Sequence, residues 1–476
     1  MESTAVILTI VAIYMLIIAG ISYYARRSSS SSAGFTGGGK AFPAAMIGFL
    51  LMSEFIGTSA TIGTAQSAYE FGISAAWNVI ALALGFLLFS LLLAKKFRQL
   101  GKNTISEALA ACYGDRTRIA VSLIMISALL IVAVAIYAAG GAVLHELLDI
   151  DRGLATVVVG VLGTLYVMIG GMRSVVYSNV LHAIMKIGTV GLLAYVGVHR
   201  SGGFSGMQAA LPADAFSVSG VGWGQVFAWL IAGVGAIFAT QYVIQAVVTV
   251  PDPAKAQVAG IWAAAMLIPF GILAAIVGMA SSILYPDIES IDALPVLAVD
   301  MNPFATGLVM CGLVGAILGS IAALILGSAT LMLRDFYQPY FNQGGDDRRN
   351  VVFLRTATMV AGVAPIALAL FASDVLSVTF LAKALRASLA VLVVLMFFKP
   401  SFGSRTGAFV SILITVPMTI GWFLAGDPFM DNSYIAILTP ILVMTLAHLV
   451  SRNPADKAAD VFGHPAEPEV AASRTT

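Results

Sequence analysis

Charge is what this sequence has least of. Of 476 residues only 10% are Asp, Glu, Lys or Arg, 59% are hydrophobic, and the mean hydropathy is +0.95. No soluble fold needs that much apolar surface, so the class is an all-α polytopic membrane protein embedded in a lipid bilayer. Cysteine is nearly absent too. Cys112 and Cys311 have neither the spacing of a metal site nor the number for a disulfide framework. The five histidines are scattered, with no two at metal-binding helical spacing. No nucleophile–base pair is recognisable, so an enzyme is the least supported class. The net charge of +1 carries no nucleic-acid signature. No polar stretch is long enough for a separate signalling domain, and nothing specifies an oligomeric state.

What the sequence does have is apolar runs of membrane length. About thirteen are counted, at 5–25, 42–71, 74–95, 118–146, 153–172, 175–198, 222–248, 257–285, 303–334, 351–371, 374–398, 403–424 and 433–451. Arg26 and Arg27 follow the first run, which suits a retained helix rather than a cleaved signal peptide. With residue 1 outside, the inner loops collect Lys40, Lys95, Lys96, Arg98, Arg173, Lys255, Arg334, Arg348, Arg349, Lys399 and Arg405, while the outer loops hold little beyond Arg152 and Arg200. The asymmetry predicts an N-terminus outside and a C-terminus in the cytoplasm of a plasma (inner) membrane. Ser28–Ser32 with Gly37–Gly39 reads as a flexible inner linker, and the Ala/Pro-rich 454–476 as a disordered tail.

The second run holds the unusual stretch, Ser53-Glu54-Phe55-Ile56-Gly57-Thr58-Ser59-Ala60-Thr61-Ile62-Gly63-Thr64-Ala65-Gln66. Glycine loosens backbone, and Ser and Thr offer it competing hydrogen bonds. Free carbonyls are tolerated at membrane depth only against protein or a wet cavity. A broken helix with hydroxyls and a carboxyl at the break is therefore a candidate ion and solute site. The competing explanation is a small-residue packing face.

Four stretches in order resemble the sodium:solute symporter family. They are this broken segment running on through Gly72 to Trp77, then Gly170-Gly171-Met172-Arg173 through Asn179, then Thr240-Gln241-Tyr242-Val243-Ile244-Gln245, and last Ala316-Ile317-Leu318-Gly319-Ser320 through Arg334-Asp335. The resemblance implies two inverted five-helix repeats plus peripheral helices. The blocks are then 1–41 (first helix and linker), 42–200 and 201–400 (the repeats), 401–453 (two peripheral helices) and 454–476 (tail). It also implies alternating access about a midplane site. The family's shared sodium site, carried over, falls on the carbonyls of Ser53, Ile56 and Ala316 and on Gly319 and Ser320. Oxygen ligands suit so hard a cation. Gly319 stands where a hydroxyl is usual, and Asn179 stands where an acid is usual, which argues against a second sodium. Sugar-carrying relatives have Gln and Lys where this chain has Ala60 and about Ala265, and proline carriers have Asp where it has Phe55, so neither solute is expected.

Glu54 and Lys186 are charges at membrane depth, which by default face the bundle interior with a partner. Lys186 binds an anionic solute group, pairs with Glu54, or stands in for a sodium ion; all three remain open. Lys383 and Arg386 share a helix face; they line the inner exit or snorkel inward, and snorkelling is the favoured reading. His182 is read as a packed polar residue, with a proton relay as the alternative. The solute contacts expected are Glu54, Thr58, Ser59, Gln66, Trp77, Asn78, Tyr137, Lys186, Gly233 and Ile237; Gly233 and Gly235 punctuate the seventh run where it should mirror the second. The expected activity is sodium-coupled uptake of a small organic solute, with a carboxylate favoured. The alternatives are a proton-coupled or sodium-independent carrier, and a solute sensor that does not transport.

Overall fold

A computed structural model describes residues 2–25, 31–37, 42–148, 150–371, 375–450 and 456–461. Among these there are helices and turns and no strands. The first helix, α1 (Glu2–Ala25), turns Leu16, Ile13 and Ile17 outward, as a lipid-facing helix should. The first broken element is α2 (Ala44–Phe55), a wide π turn over Ser59–Gly63, and α3 (Thr64–Phe71). After it come α4 (Trp77–Phe89), α5 (Asp115–Leu148) and α6 (Arg152–Arg200). The second broken element is α7 (Trp223–Ala239) with α8 (Gln241–Val247), bent by 50°. Then follow α9 (Pro253–Leu284), α10 (Pro303–Leu331), α11 (Asp347–Ala369), α12 (Val375–Phe398), α13 (Arg405–Leu424) and α14 (Asn432–Val450).

By length and composition ten of the described helices can cross a membrane, or eleven if the bent pair is one span. The count of about thirteen is not reproduced, and the differences have local causes. The expected pair 153–172 and 175–198 is one helical assignment, interrupted at Gly171 by φ 57°, ψ −164°, a conformation that only glycine adopts cheaply. The expected 42–71 is no continuous rod but two short pieces. The stretch Ser59–Leu100 is apolar throughout, yet the chain turns within it at Gly72 (φ 66°).

α10 is the axis. It is buried along nearly its whole length and packs against α6, α5, α1, α11 and α2. α9 lies on α2, α3 and α4, while α12 fills the space between α7 and α5. Lipid is as apolar as leucine, so small residues rather than hydrophobicity bring these helices together. Gly235 sits on Ala387 and Gly278 on Ala65. Outside the bundle, Ser32–Gly37 is a short helix whose first N–H donates to Asp347 at 3.0 Å. Most of the expected linker and tail, residues 28–30, 38–39, 454–455 and 462–476, lies outside the described residues. Of the described part of the tail, Ala459 donates to the Cys112 carbonyl at 2.8 Å.

Candidate functional site

The first break starts where α2 stops. Ile56 leaves the helical region (φ −86°, ψ 75°) with its N–H still on the Met52 carbonyl at 3.1 Å. Gly57 follows and brings the backbone against α10: a Cβ there would stand 3.0 Å from the Ser320 hydroxyl. Thr61 donates its hydroxyl to the Gly57 carbonyl at 3.0 Å, replacing part of the lost helical bonding. The last carbonyls of α2 have no helical partner and carry the negative end of its dipole. Lys186, reaching over from α6, donates to the Ser53 carbonyl at 2.6 Å and to the Ser53 hydroxyl at 3.0 Å. That hydroxyl donates in turn to Asn179 Oδ1 at 2.6 Å.

Of the sodium candidates, Ser53, Gly319 and Ser320 meet at this point. A Cβ on Gly319 would lie 3.1 Å from Ser53 Oγ and 3.2 Å from Lys186 Nζ. Ile56 and Ala316 are fully buried on the same two helices. The Ser320 hydroxyl is buried with no hydrogen-bond partner, which suits a cation ligand. The Ser53 carbonyl is already engaged by an ammonium.

On the other side of the break lies a cavity of about 40 Å³. Glu54, Thr58 and Ser59 line it, and Glu54 Oε2, Thr58 Oγ1 and Ser59 Oγ are all buried without a partner. The direct Glu54–Lys186 pair offered above is absent among the described ion pairs. The carboxyl turns into the cavity, whereas the ammonium is held on the Ser53 carbonyl. Asn78 belongs to the site at one remove: its Nδ2 donates to Thr64 Oγ1 at 3.1 Å and its Oδ1 accepts from Lys383 at 3.0 Å.

Four of the expected solute contacts are elsewhere because they have structural partners. Gln66 points to Ser290 (3.5 Å), and Trp77 donates to the Val218 carbonyl at 2.9 Å. Gly233 packs on Ala81 and Ile237 on Gly85, both of α4. The second break falls at Thr240 (φ −71°, ψ 128°), not at the glycines. Tyr137 is a fifth such residue; it donates to the Gly362 carbonyl at 3.0 Å. His182 bonds Tyr14 at 2.5 Å on the seam between α6 and α1.

Lys383 and Arg386 do not snorkel. They are 6% and 2% exposed and line the cavity opposite the first break. The reason is distance: from Arg386 to the end of α12 at Phe398 the helix runs about 18 Å, beyond the reach of any side chain. Arg386 donates to the Ala382 carbonyl (3.0 Å), to Thr240 Oγ1 (3.2 Å) and to the Tyr242 hydroxyl (3.5 Å). Lys383 Nζ stands 4.3 Å above the Phe380 ring. The sequence signal was present, since both cations sit midway along an apolar run.

Residues 35–415 match the family model described as the sodium:solute symporter family. Among curated relatives, the chain is 24% identical to the "Uncharacterized symporter YwcA" of Bacillus subtilis (strain 168), over 97% of this chain and 96% of that one. It is 25% identical to the human "High affinity choline transporter 1", over 79% of this chain and 70% of the relative. Among solved structures, a Na+-coupled sialic acid symporter in a substrate-bound outward-open state superimposes with a TM-score of 0.83. The match covers 96% of this chain and 99% of the other at 17% identity, and shows the fold. Mhp1, a nucleobase-cation-symport-1 family transporter, superimposes with a TM-score of 0.61 at 16% identity, over 88% and 94% of the two chains.

Proposed function

We infer the transport reaction from one premise: this chain belongs to the sodium:solute symporter family. It is a multi-pass membrane transporter with sodium as the co-transported ion, coupling that ion to solute uptake. The finer reading is inward sodium flux driving uptake of a small carboxylate across the plasma (inner) membrane, with the N-terminus outside and the C-terminus in the cytoplasm.

One observation carries this reading: the first helix break and Tyr242, two residues past the second, line one cavity whose walls hold four buried oxygens without partners, those of Glu54, Thr58, Ser59 and Ser320. Leaving such groups unpaired costs free energy, which a bound ion and solute would offset. The residues that meet sodium (Ser53, Ile56) and those that meet solute (Thr58, Ser59) belong to one short stretch. Ordering it for one ligand prepares it for the other, which is the differential binding that coupling requires. Choline, the solute named for the human relative, is disfavoured here, because two cationic side chains line the cavity and it has few aromatic faces. The test is uptake by the full chain in liposomes, in sodium against potassium at fixed pH, with counterflow. Solute that binds without exchanging across the bilayer would make the protein a sensor.

A second reading of the coupling rests on Lys186. Its ammonium occupies the Ser53 carbonyl, so a sodium-independent carrier with the amine in the ion's place is the alternative, and uptake that persists unchanged in potassium would select it.

A further inference from the structure

We propose that Arg386 and Lys383 form the anion subsite of this cavity, and that the solute is a short monocarboxylate whose carboxylate lies between them and the hydroxyls of Thr58 and Ser59. The inference rests on the transport reading above and names the chemistry of the same site.

Arg386 is the firmest element. A guanidinium keeps its charge under all ordinary conditions and presents a planar fork matched to a carboxylate. A charge at membrane depth faces the bundle interior or a water-filled cavity and pairs with another charge or with backbone carbonyls. Here the acceptors Arg386 reaches are the uncharged Ala382 carbonyl and the hydroxyls of Thr240 and Tyr242. Lys383 reaches the neutral Asn78 amide oxygen and the face of Phe380. Among the described residues neither makes an ion pair.

Formal charge along the wall is two cations, Lys383 and Arg386, against one carboxyl, Glu54. An anionic solute offsets that excess and the charge of a sodium ion held beside Ser320, whereas a cationic solute adds to it and a neutral one leaves it. The facing wall supplies the complementary groups. The hydroxyls of Thr58 and Ser59 are buried and unpartnered, at the start of the turn that follows the break. They can donate to a carboxylate that the cations already hold. Size narrows the class further. A cavity of about 40 Å³ has room for a few water molecules, which suits a compact acid such as acetate or pyruvate.

The test uses the full chain, purified and reconstituted, with acetate and pyruvate as probes and acetamide, proline and choline as comparators. Expected are sodium-driven uptake of acetate or pyruvate and protection against thermal unfolding by acetate. Acetamide, of the same shape without the charge, should give neither. Arg386→Gln should lower carboxylate uptake efficiency at least 100-fold and abolish protection by acetate, while protection by sodium remains and reports a folded protein. Arg386→Lys should retain about a tenth of the activity, and Lys383→Met should raise the half-saturating acetate concentration more than tenfold. Equal protection by acetate and acetamide in the unmutated protein overturns the proposal without recourse to any variant. So does uptake of proline or choline that Arg386→Gln leaves unaltered, which would still uphold transport. Failure of every solute to exchange would instead strike the transport reading itself.

Discussion

At the first break the Ser53 carbonyl holds the Lys186 ammonium at 2.6 Å; at the second, the Arg386 guanidinium meets the Thr240 side chain at 3.2 Å. Both cations approach the C-terminal end of the half-helix before the break, where the helix dipole is negative. Both also come from a long helix packed on the half-helix concerned, Lys186 from α6 on α2 and Arg386 from α12 on α7. The placements correspond, but the surroundings differ. Lys186 is closed in by the Ser53 carbonyl and hydroxyl and by Gly319, so the protein itself satisfies it. Arg386 and Lys383 border the cavity. One cation thus serves the polypeptide and the other pair is left to a ligand. An ammonium on the carbonyl proposed to hold sodium bears on ion binding, and a guanidinium beside a void bears on solute.

The sharpest way to break that division is Lys186→Met, which keeps length and removes charge. Two unit charges 4 Å apart repel by about 4 kcal/mol at an effective dielectric constant of 20. Sodium on the Ser53 carbonyl therefore requires the amine to withdraw. Uptake titrated with sodium should show half-saturation at a concentration at least about tenfold lower in Lys186→Met, with the half-saturating acetate concentration little changed. Unaltered sodium dependence would remove the lysine from the ion's side. Loss of uptake together with loss of any sodium effect would favour the amine as the ion's replacement.

A smaller effect is expected from Gly319→Ser, which adds the hydroxyl missing at this position. The new Cβ would stand 2.5 Å from Asn179 Oδ1 and 3.2 Å from Lys186 Nζ. Overpacking of that kind costs about 1–3 kcal/mol. In the Lys186→Met background the ammonium is gone, so the two changes should be non-additive by roughly 1 kcal/mol, read from thermal unfolding of the four proteins with and without sodium. Strict additivity would mean that Gly319 and Lys186 do not share a site.

How much of this was legible beforehand follows from which physics each feature obeys. Membrane class and family follow from composition and motif order, which are one-dimensional. The break near Gly57 was readable because glycine, serine and threonine weaken a helix locally. The second break was not, since Gly233 and Gly235 look like breakers but serve contact with Ala81 and Ala387. Thr240, where the chain does bend, looks like any threonine. Lys186 was singled out by its depth, but which of three partners it takes depends on the approach of α6 to α2. For Arg386 and Lys383 the sequence leaves two readings, lining an exit or snorkelling, and their distance from the helix end decides against the second. Tyr137 and Trp77 were overvalued for a related reason: a polar aromatic inside a bundle needs one hydrogen bond, and a backbone carbonyl supplies it.

The smallest effect tests the ground between the two breaks. Tyr137 is fully buried, with its ring against Gly160 and Gly163 and its hydroxyl on the Gly362 carbonyl at 3.0 Å. It tethers α5 to α6 and α11 and lies outside the cavity wall. Tyr137→Phe should cost about 0.6 kcal/mol, and at most about 1.7, the range of single hydrogen bonds in membrane bundles. Half-saturation for both acetate and sodium should be unmoved, as measured by uptake beside a denaturation curve. That baseline gives the other variants their meaning, because the loss of one buried bond that touches no ligand is what Lys186→Met and Arg386→Gln must exceed. If Tyr137→Phe shifted the solute's half-saturation instead, binding would depend on how α5 sits against α11. The contrast between a cation closed in by protein and a cation left to solute would then describe only part of the site.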